Sequence, residues 1–268
     1  MYPFIHIGWL QLGTYGICAG LGFVAAYWIF RANLIRHGIR KDIAGLIMVA
    51  AGLSGIAGAK IYFLFETAHP LRNGLINALM EPSGISWLGG FVTALSVVCL
   101  LAIHYKITVL TMLDLSAPAG AIAFGFGRLG CLMSGDGDYG VPTSLPWGMS
   151  FPHGIVPTLL RVHPTPIYEA IFSFGLCWLS WRLGSRERSP GLIAALYLVL
   201  SGIGRFAVEF IKLNPTVFLG LTNPQIVSIG CVAVGGALLW YSIRRGALER
   251  TVESDNRAFP HPGAEAAK

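Results

Sequence analysis

"GRLGCLMSGDGDYG", Gly127 to Gly140, sets an arginine inside an apolar run that ends in two aspartates. In a soluble protein this would be a core helix with a buried ion pair. In a membrane protein the same arginine lies at bilayer depth, where a charge costs about 2.5 to 3.5 kcal/mol at a helix centre. It therefore faces a partner or a water-filled cavity. The sequence on either side decides between the two readings.

Of the 268 residues, 54% are hydrophobic and only 12% charged, and the mean hydropathy is +0.63. A soluble domain has too little polar surface to hide that much apolar area. Seven stretches approach or exceed the roughly 17 to 25 apolar residues that cross a hydrocarbon core of about 30 Å. They are residues 12–30, 43–65, 84–103, 112–133, 166–183, 191–211 and 224–243. The expected fold is all-α, a polytopic membrane protein of about seven transmembrane helices. The first stretch does not read as a signal peptide, because no Lys or Arg precedes Arg31.

Cys18, Cys99, Cys131, Cys177 and Cys231 all fall in these spans with no C-x-x-C pair, which indicates neither a disulfide framework nor a metal site. The formal charge of +6 is sorted by loop and not gathered into a patch, so nucleic acid is not an expected partner. With the N-terminus outside, the inner segments hold Arg31, Arg36, Arg40, Lys41, Lys106, Arg182, Arg186, Arg188, Arg244, Arg245 and Arg250. The outer loops hold only Arg72 and Arg161. Eleven against two places the N-terminus outside and the C-terminus in the cytoplasm.

Residues 1–250 read as one membrane domain, and 251–268 as a disordered cytoplasmic tail. The opening "MYPFIHIGWLQLG" is expected to lie at headgroup level. The outer loop 134–164 carries five glycines and five prolines. Its Tyr139, Trp147, Phe151, Ile155 and Leu159 nevertheless supply apolar surface for an ordered region packed on the helices.

The charged residues within spans are few. Lys60 and Glu66 lie late in the second span, Arg128 in the fourth, Glu169 at the start of the fifth, and Arg205, Glu209 and Lys212 in the sixth. By the charge-derived orientation all lie toward the outer side. Arg205 and Glu209 are four apart on one helical face and are able to pair with each other. Arg128 has no acid three or four residues away, so its partner is Asp136, Glu169 or a ligand anion. Two arginines at one depth, each able to form paired hydrogen bonds, suit a phospholipid phosphate. In "HPTPIYEA", His163, Tyr168 and Glu169 stand where the loop enters the fifth span. Tyr15 lies early in the first span.

Taken in order, "TYG", "WLGGF", "GRLGCLMSGDGDYG", "HPTPIYE", "GRFAVEF" and "LTNPQIVSI" resemble the motifs of the prolipoprotein diacylglyceryl transferases over most of residues 12–245. The resemblance implies a bacterial inner-membrane enzyme of seven helices with a periplasmic active centre and no cofactor or metal. Its partners would be phosphatidylglycerol and preprolipoprotein signal peptides. It would move the lipid's diacylglyceryl group to the lipobox cysteine as a thioether, releasing glycerol phosphate. On the matching motifs, Arg128 corresponds to the signature arginine, and Arg205 and Glu209 to the R-x-x-x-E segment. Gly127, Gly130 and Gly140 correspond to signature glycines, and Tyr15 to the first-span tyrosine. The implied catalytic set is Arg128, Arg205, Glu209, Tyr15 and Asp136. The implied lipid-binding set adds Gly127, Gly130, Gly140, His163, Tyr168, Glu169, Gly89 and Gly90 to the two arginines.

Three positions depart from the family pattern. Cys131 stands where asparagine is usual, and Asp136 near a usual glutamate, with Asp138 competing for that role. Leu88 stands where a histidine or tyrosine, proposed to take the thiol proton, precedes the Gly-Gly pair. The reaction needs a thiolate and cations beside the leaving phosphate. Without the histidine, Glu209, Asp136, Tyr15 and His163 are the candidate bases. A homologue that binds phospholipid without transferring it is the alternative. A rhomboid-type protease reading of "GLSG", Gly52 to Gly55, lacks a histidine on a later span. An ion transporter lacks the paired helix breaks that mark such sites.

Overall fold

The computed structural model describes residues 2–8, 10–66, 87–184 and 189–258. Each expected span is a helix: α1 (Thr14–Arg36), α2 (Ile43–Glu66), α3 (Trp87–His104), α4 (Val109–Ser134), α5 (Thr165–Gly184), α6 (Leu192–Glu209) and α7 (Asn223–Ala258). Five of them, α1, α2, α4, α6 and α7, are long and apolar enough to cross a membrane by length and composition. The apolar stretch of α3, Gly89–His104, is shorter, and α5 buries the polar residues Glu169, Ser173 and Ser180 along its length. Large apolar side chains lie outside, with Leu53, Ile56, Ile171 and Trp178 each more than 60% exposed, while the buried core is rich in alanine. A surface of that kind is covered by lipid and not by water.

Between the helices the chain folds into short antiparallel hairpins: β1 (Phe4–Ile7) with β2 (Leu10–Gly13), β3 (Met149–Phe151) with β4 (Thr158–Val162), and β5 (Thr216–Phe218) with β6 (Leu221–Thr222). The segment expected to lie along the headgroups is thus a hairpin, closed onto α1 by the Thr14 amide donating to the Pro3 carbonyl at 2.9 Å. Helix α7 runs to Ala258, eight residues into the segment expected as a disordered tail. Residues such as Ala, Leu, Glu and Arg after Gly246 favour continuation of a helix already begun. Residues 259–268 lie outside the described residues.

The described residues form two compact units, 27–112 and 1–26 with 113–268. Residues 1–250, expected as one domain, are shared between them.

Small residues dominate the packing in residues 27–112. A side chain on Gly58 would collide with Thr93, one on Gly89 with Tyr62 and the Gly58 carbonyl, and one on Gly90 would stand 3.0 Å from the Gly55 carbonyl. Helices α2 and α3 therefore approach backbone to backbone, and the Thr93 hydroxyl reaches the Ser54 carbonyl at 3.0 Å. Ser54 donates to Ala51 O within α2 at 3.1 Å, a hydroxyl bonded back to its own helix.

In the other unit, α6 packs along α7 through Gly202 and Gly235. The start of α6 has no cap of its own: Gly191 stands at φ 92° without a side-chain hydrogen bond to the helix. Asp114 of α4 supplies the cap, accepting the Gly191 and Ala194 amides at 2.6 and 2.7 Å. A carboxylate from one helix thereby fixes the end of another that carries site residues.

Candidate active site

Helix α4 stops because Gly135, at φ 58°, takes the left-handed conformation and donates its amide to Cys131 O at 2.9 Å. Gly137, at φ 94°, turns the chain again. Gly154 approaches so closely that a side chain on Gly135 would stand 2.7 Å from its Cα. The Ile155 and Val156 amides clamp the turn through the Ser134 and Gly135 carbonyls at 3.0 and 2.9 Å. The alternation of glycine and aspartate in "SGDGD" thus folds Asp138 back onto Arg128, ten residues earlier.

The rest of the loop is a ribbon sewn to α6. Gly140 donates to His163 O at 2.9 Å, Val141 to Ile211 O at 2.8 Å, and Thr143 to Arg161 O at 2.8 Å. Its apolar centre is Tyr139 stacked on Phe151, with Val162, Leu132 and Met149 against them. Of the five side chains expected to anchor this loop, Tyr139 and Phe151 are buried, whereas Trp147, Ile155 and Leu159 are exposed. The ribbon is too thin to bury both of its faces.

A network of charges gathers under this ribbon. Arg128 pairs with Asp138 and lies 3.6 Å from Glu169 Oε2. Arg205 pairs with Glu169 Oε1, and its other guanidinium nitrogen is 3.9 Å from Glu209. Lys212 donates to Asp138 Oδ1 at 2.6 Å and its ammonium lies 2.9 Å from Glu169 Oε2 as an ion pair. Glu209 accepts from Asn214 Nδ2 at 2.5 Å and from the Thr222 hydroxyl at 2.9 Å. Glu169, Glu209 and Lys212 are buried, while the two arginines keep some exposed surface. The Arg128 guanidinium also lies over the Phe124 ring at 4.7 Å, which holds its plane.

These contacts change the partner assignments. The acid on Arg128 is Asp138 and not Asp136. Asp136 instead accepts the Asp138 amide at 3.2 Å and steadies the turn. The helical spacing of Arg205 and Glu209 suggested that they pair, yet Glu169 of α5 is the tighter partner of Arg205 and Glu209 is held from the β5–β6 side. The tertiary fold overrides the i,i+4 contact because α5 brings Glu169 closer to Arg205 than Glu209 stands within α6.

Both arginines line a single cleft of about 480 Å³ with Cys131, Asp136, Asp138, Asn214, Val217 and Asn223. That volume is within the usual range for a small-molecule site. Tyr15 stands at the side of α4, its ring 3.0 Å from where a side chain on Gly130 would be, so Gly130 gives the tyrosine its place. Gly127 has open space around it. Gly140 admits no side chain against Ile211 O and His163, and so closes the ribbon onto α6. His163 and Tyr168 contact each other at 3.3 Å, and Trp147 donates to the Tyr168 hydroxyl at 2.8 Å. These three are not among the cleft-lining residues. Gly89 and Gly90 belong to the other unit, where they pack α3 on α2. The Leu88 side chain lies outside the described residues.

Lys212, Asn214 and Thr222 complete the network without having been singled out as site residues. Lys212 had a signal in the sequence, since it is a charge at the end of an apolar span, and Thr222 belongs to the quoted "LTNPQIVSI"; Asn214 had none. Among the described residues no group of His, Cys, Asp and Glu is arranged to hold a metal ion.

The family model described as "Prolipoprotein diacylglyceryl transferase" matches residues 3–241. The phosphatidylglycerol–prolipoprotein diacylglyceryl transferase 2 of Clostridium perfringens is 31% identical, covering 86% of this chain and 91% of its own. The enzyme of that name from Geobacter sulfurreducens is 34% identical over 81% of this chain and 84% of its own. The one from Methylobacillus flagellatus is 30% identical over 90% and 96%.

Proposed function

Because this chain belongs to the prolipoprotein diacylglyceryl transferase family, we propose that it transfers the diacylglyceryl group of phosphatidylglycerol to the cysteine thiol of a preprolipoprotein. The sulfur forms a bond to the glycerol carbon, the bond from that carbon to the phosphate oxygen breaks, and glycerol phosphate leaves with the electron pair. The observation that carries this reading is that Arg128 and Arg205, from two different helices, line one cleft. Each arginine uses part of its guanidinium on a carboxylate and keeps further N–H donors for a phosphate. Donors held in place before the reaction stabilise the charge that develops on the leaving group.

The thiol proton needs an acceptor, and of the candidates Glu209, Asp136, Tyr15 and His163 only Asp136 is among the cleft-lining residues. We assign it that role. Glu209, already accepting two hydrogen bonds on Oε1, orients the end of α6 and the β5–β6 hairpin. The open side of the cleft faces the outer side of a bacterial inner membrane, a reading supported by the eleven basic residues of the opposite loops. A cytoplasmic signal from a reporter fused at residue 145 would overturn that orientation.

Purified protein given phosphatidylglycerol and a lipobox peptide is expected to yield a peptide heavier by one diacylglyceryl group, read by mass spectrometry. Absence of the adduct beside an active control, with phosphatidylglycerol still bound, would leave the phospholipid-binding alternative. In the same assay Leu88→His is expected to leave the rate unchanged, because Asp136 already takes the proton. A marked rise would show that this chain lacks a base, and would remove Asp136 from the role.

A further inference from the structure

The two arginines are offered to a phosphate from within a network that has no positive charge to spare. Arg128, Arg205 and Lys212 face Asp138, Glu169 and Glu209, three cations against three carboxylates. A phosphate entering such a site competes with the carboxylates for the arginines. Lys212 is the cation that eases this competition. Its side chain is 1% exposed, and its ammonium pairs with one oxygen of each carboxylate whose other oxygen holds an arginine: it donates to Oδ1 of Asp138, opposite Arg128, and lies 2.9 Å from Oε2 of Glu169, opposite Arg205. Its backbone is fixed as well, since Lys212 bridges Gly140 and the neighbouring Ile211 carbonyl accepts the Val141 amide at 2.8 Å. Lys212 is not among the residues lining the cleft.

We propose that Lys212 is a positioning residue that acts as a reserve counter-ion: it occupies Asp138 and Glu169 so that Arg128 and Arg205 are free to turn to the phosphate of the lipid. The inference rests on the proposed function and adds a third cation that touches no substrate. When the phosphate binds, each arginine loosens its hold on a carboxylate, and Lys212 retains both carboxylates so that neither is left as an uncompensated buried charge. Without Lys212 the site holds two cations against three carboxylates, and the arginines stay bound to the acids.

The test uses full-length protein in detergent, with bound phosphatidylglycerol counted by native mass spectrometry and KM and kcat measured in the transfer assay. Lys212→Met keeps an unbranched side chain one atom shorter and removes its charge. It is expected to weaken phosphatidylglycerol binding by about tenfold or more and to raise KM for the lipid in parallel, as loss of a buried charge partner does. Adding Asp138→Asn removes the carboxylate left in excess and is expected to return binding to within about threefold of wild type. If Lys212→Met alone does not fold, the double variant is compared with wild type directly. A Lys212→Met protein that binds the lipid as wild type does, or a double variant tenfold weaker than wild type, overturns the proposal. Wild-type protein that holds no phosphatidylglycerol overturns the functional reading and the role of Lys212 with it.

Discussion

Arg128→Lys is expected to lower diacylglyceryl transfer by about a hundredfold or more while the protein still inserts and folds. Arg128 does three things with one planar group: it pairs with Asp138, lies against the face of Phe124 and presents its remaining donors to the cleft. Lysine keeps the charge but offers a single ammonium, which settles between Asp138 and Glu169 and leaves nothing directed at the phosphate. Arg205→Lys is expected to be less severe, because Glu169 and Glu209 both stand beside Arg205 and continue to hold a cation there. The ranking is read from kcat/KM in the peptide assay at matched protein levels. Full activity in Arg128→Lys would mean that this arginine is a structural ion-pair partner and that the phosphate is held elsewhere.

Glu169→Gln is expected to cost stability as well as activity. One carboxylate, 5% exposed, serves Arg205 on one oxygen and Lys212 and Arg128 on the other. Glutamine nearly preserves its shape and removes the charge common to all three cations. Breaking a buried ion pair from one side costs about 3 to 5 kcal/mol, because the partner remains buried and unpaired. For a chain of this size that corresponds to a fall of roughly 10 °C in the thermal midpoint. The midpoint in detergent is the measurement, and an unchanged value would show that Asp138 and Glu209 neutralise the cations without Glu169. Asp138→Asn, at a carboxylate 23% exposed, is expected to cost much less, since solvent replaces part of what is lost.

The spans were legible because a membrane helix announces itself by length: about twenty apolar residues must satisfy every backbone group internally. All seven expected stretches are helices with ends within a few residues of the expected ones, except where α1 and α7 run past the apolar stretch. The arginines were legible for a related reason, since a charge at bilayer depth is expensive enough to be conspicuous. The hairpins were not. In Phe4–Gly13 and Thr216–Thr222 the strands are so short that their periodicity does not rise above a loop's.

What the sequence determined by itself was therefore one-dimensional: which segments are helical, which of their residues are charged, and, through the order of the motifs, a resemblance to one family. The tertiary structure decided which charges meet. Asp136 and Asp138 are two residues apart and chemically alike, yet one steadies a turn and the other holds Arg128, because Gly135 and Gly137 take positive φ and rotate the chain between them. Glu169 and Lys212 are far from Arg128 in the chain and become its neighbours only when α5, the end of α6 and the ribbon close around it. Helical periodicity relates residues three or four apart. Coulomb attraction at a distance of a few ångströms acts between whatever the fold brings together, and in this site its tightest pairs come from different elements of the chain.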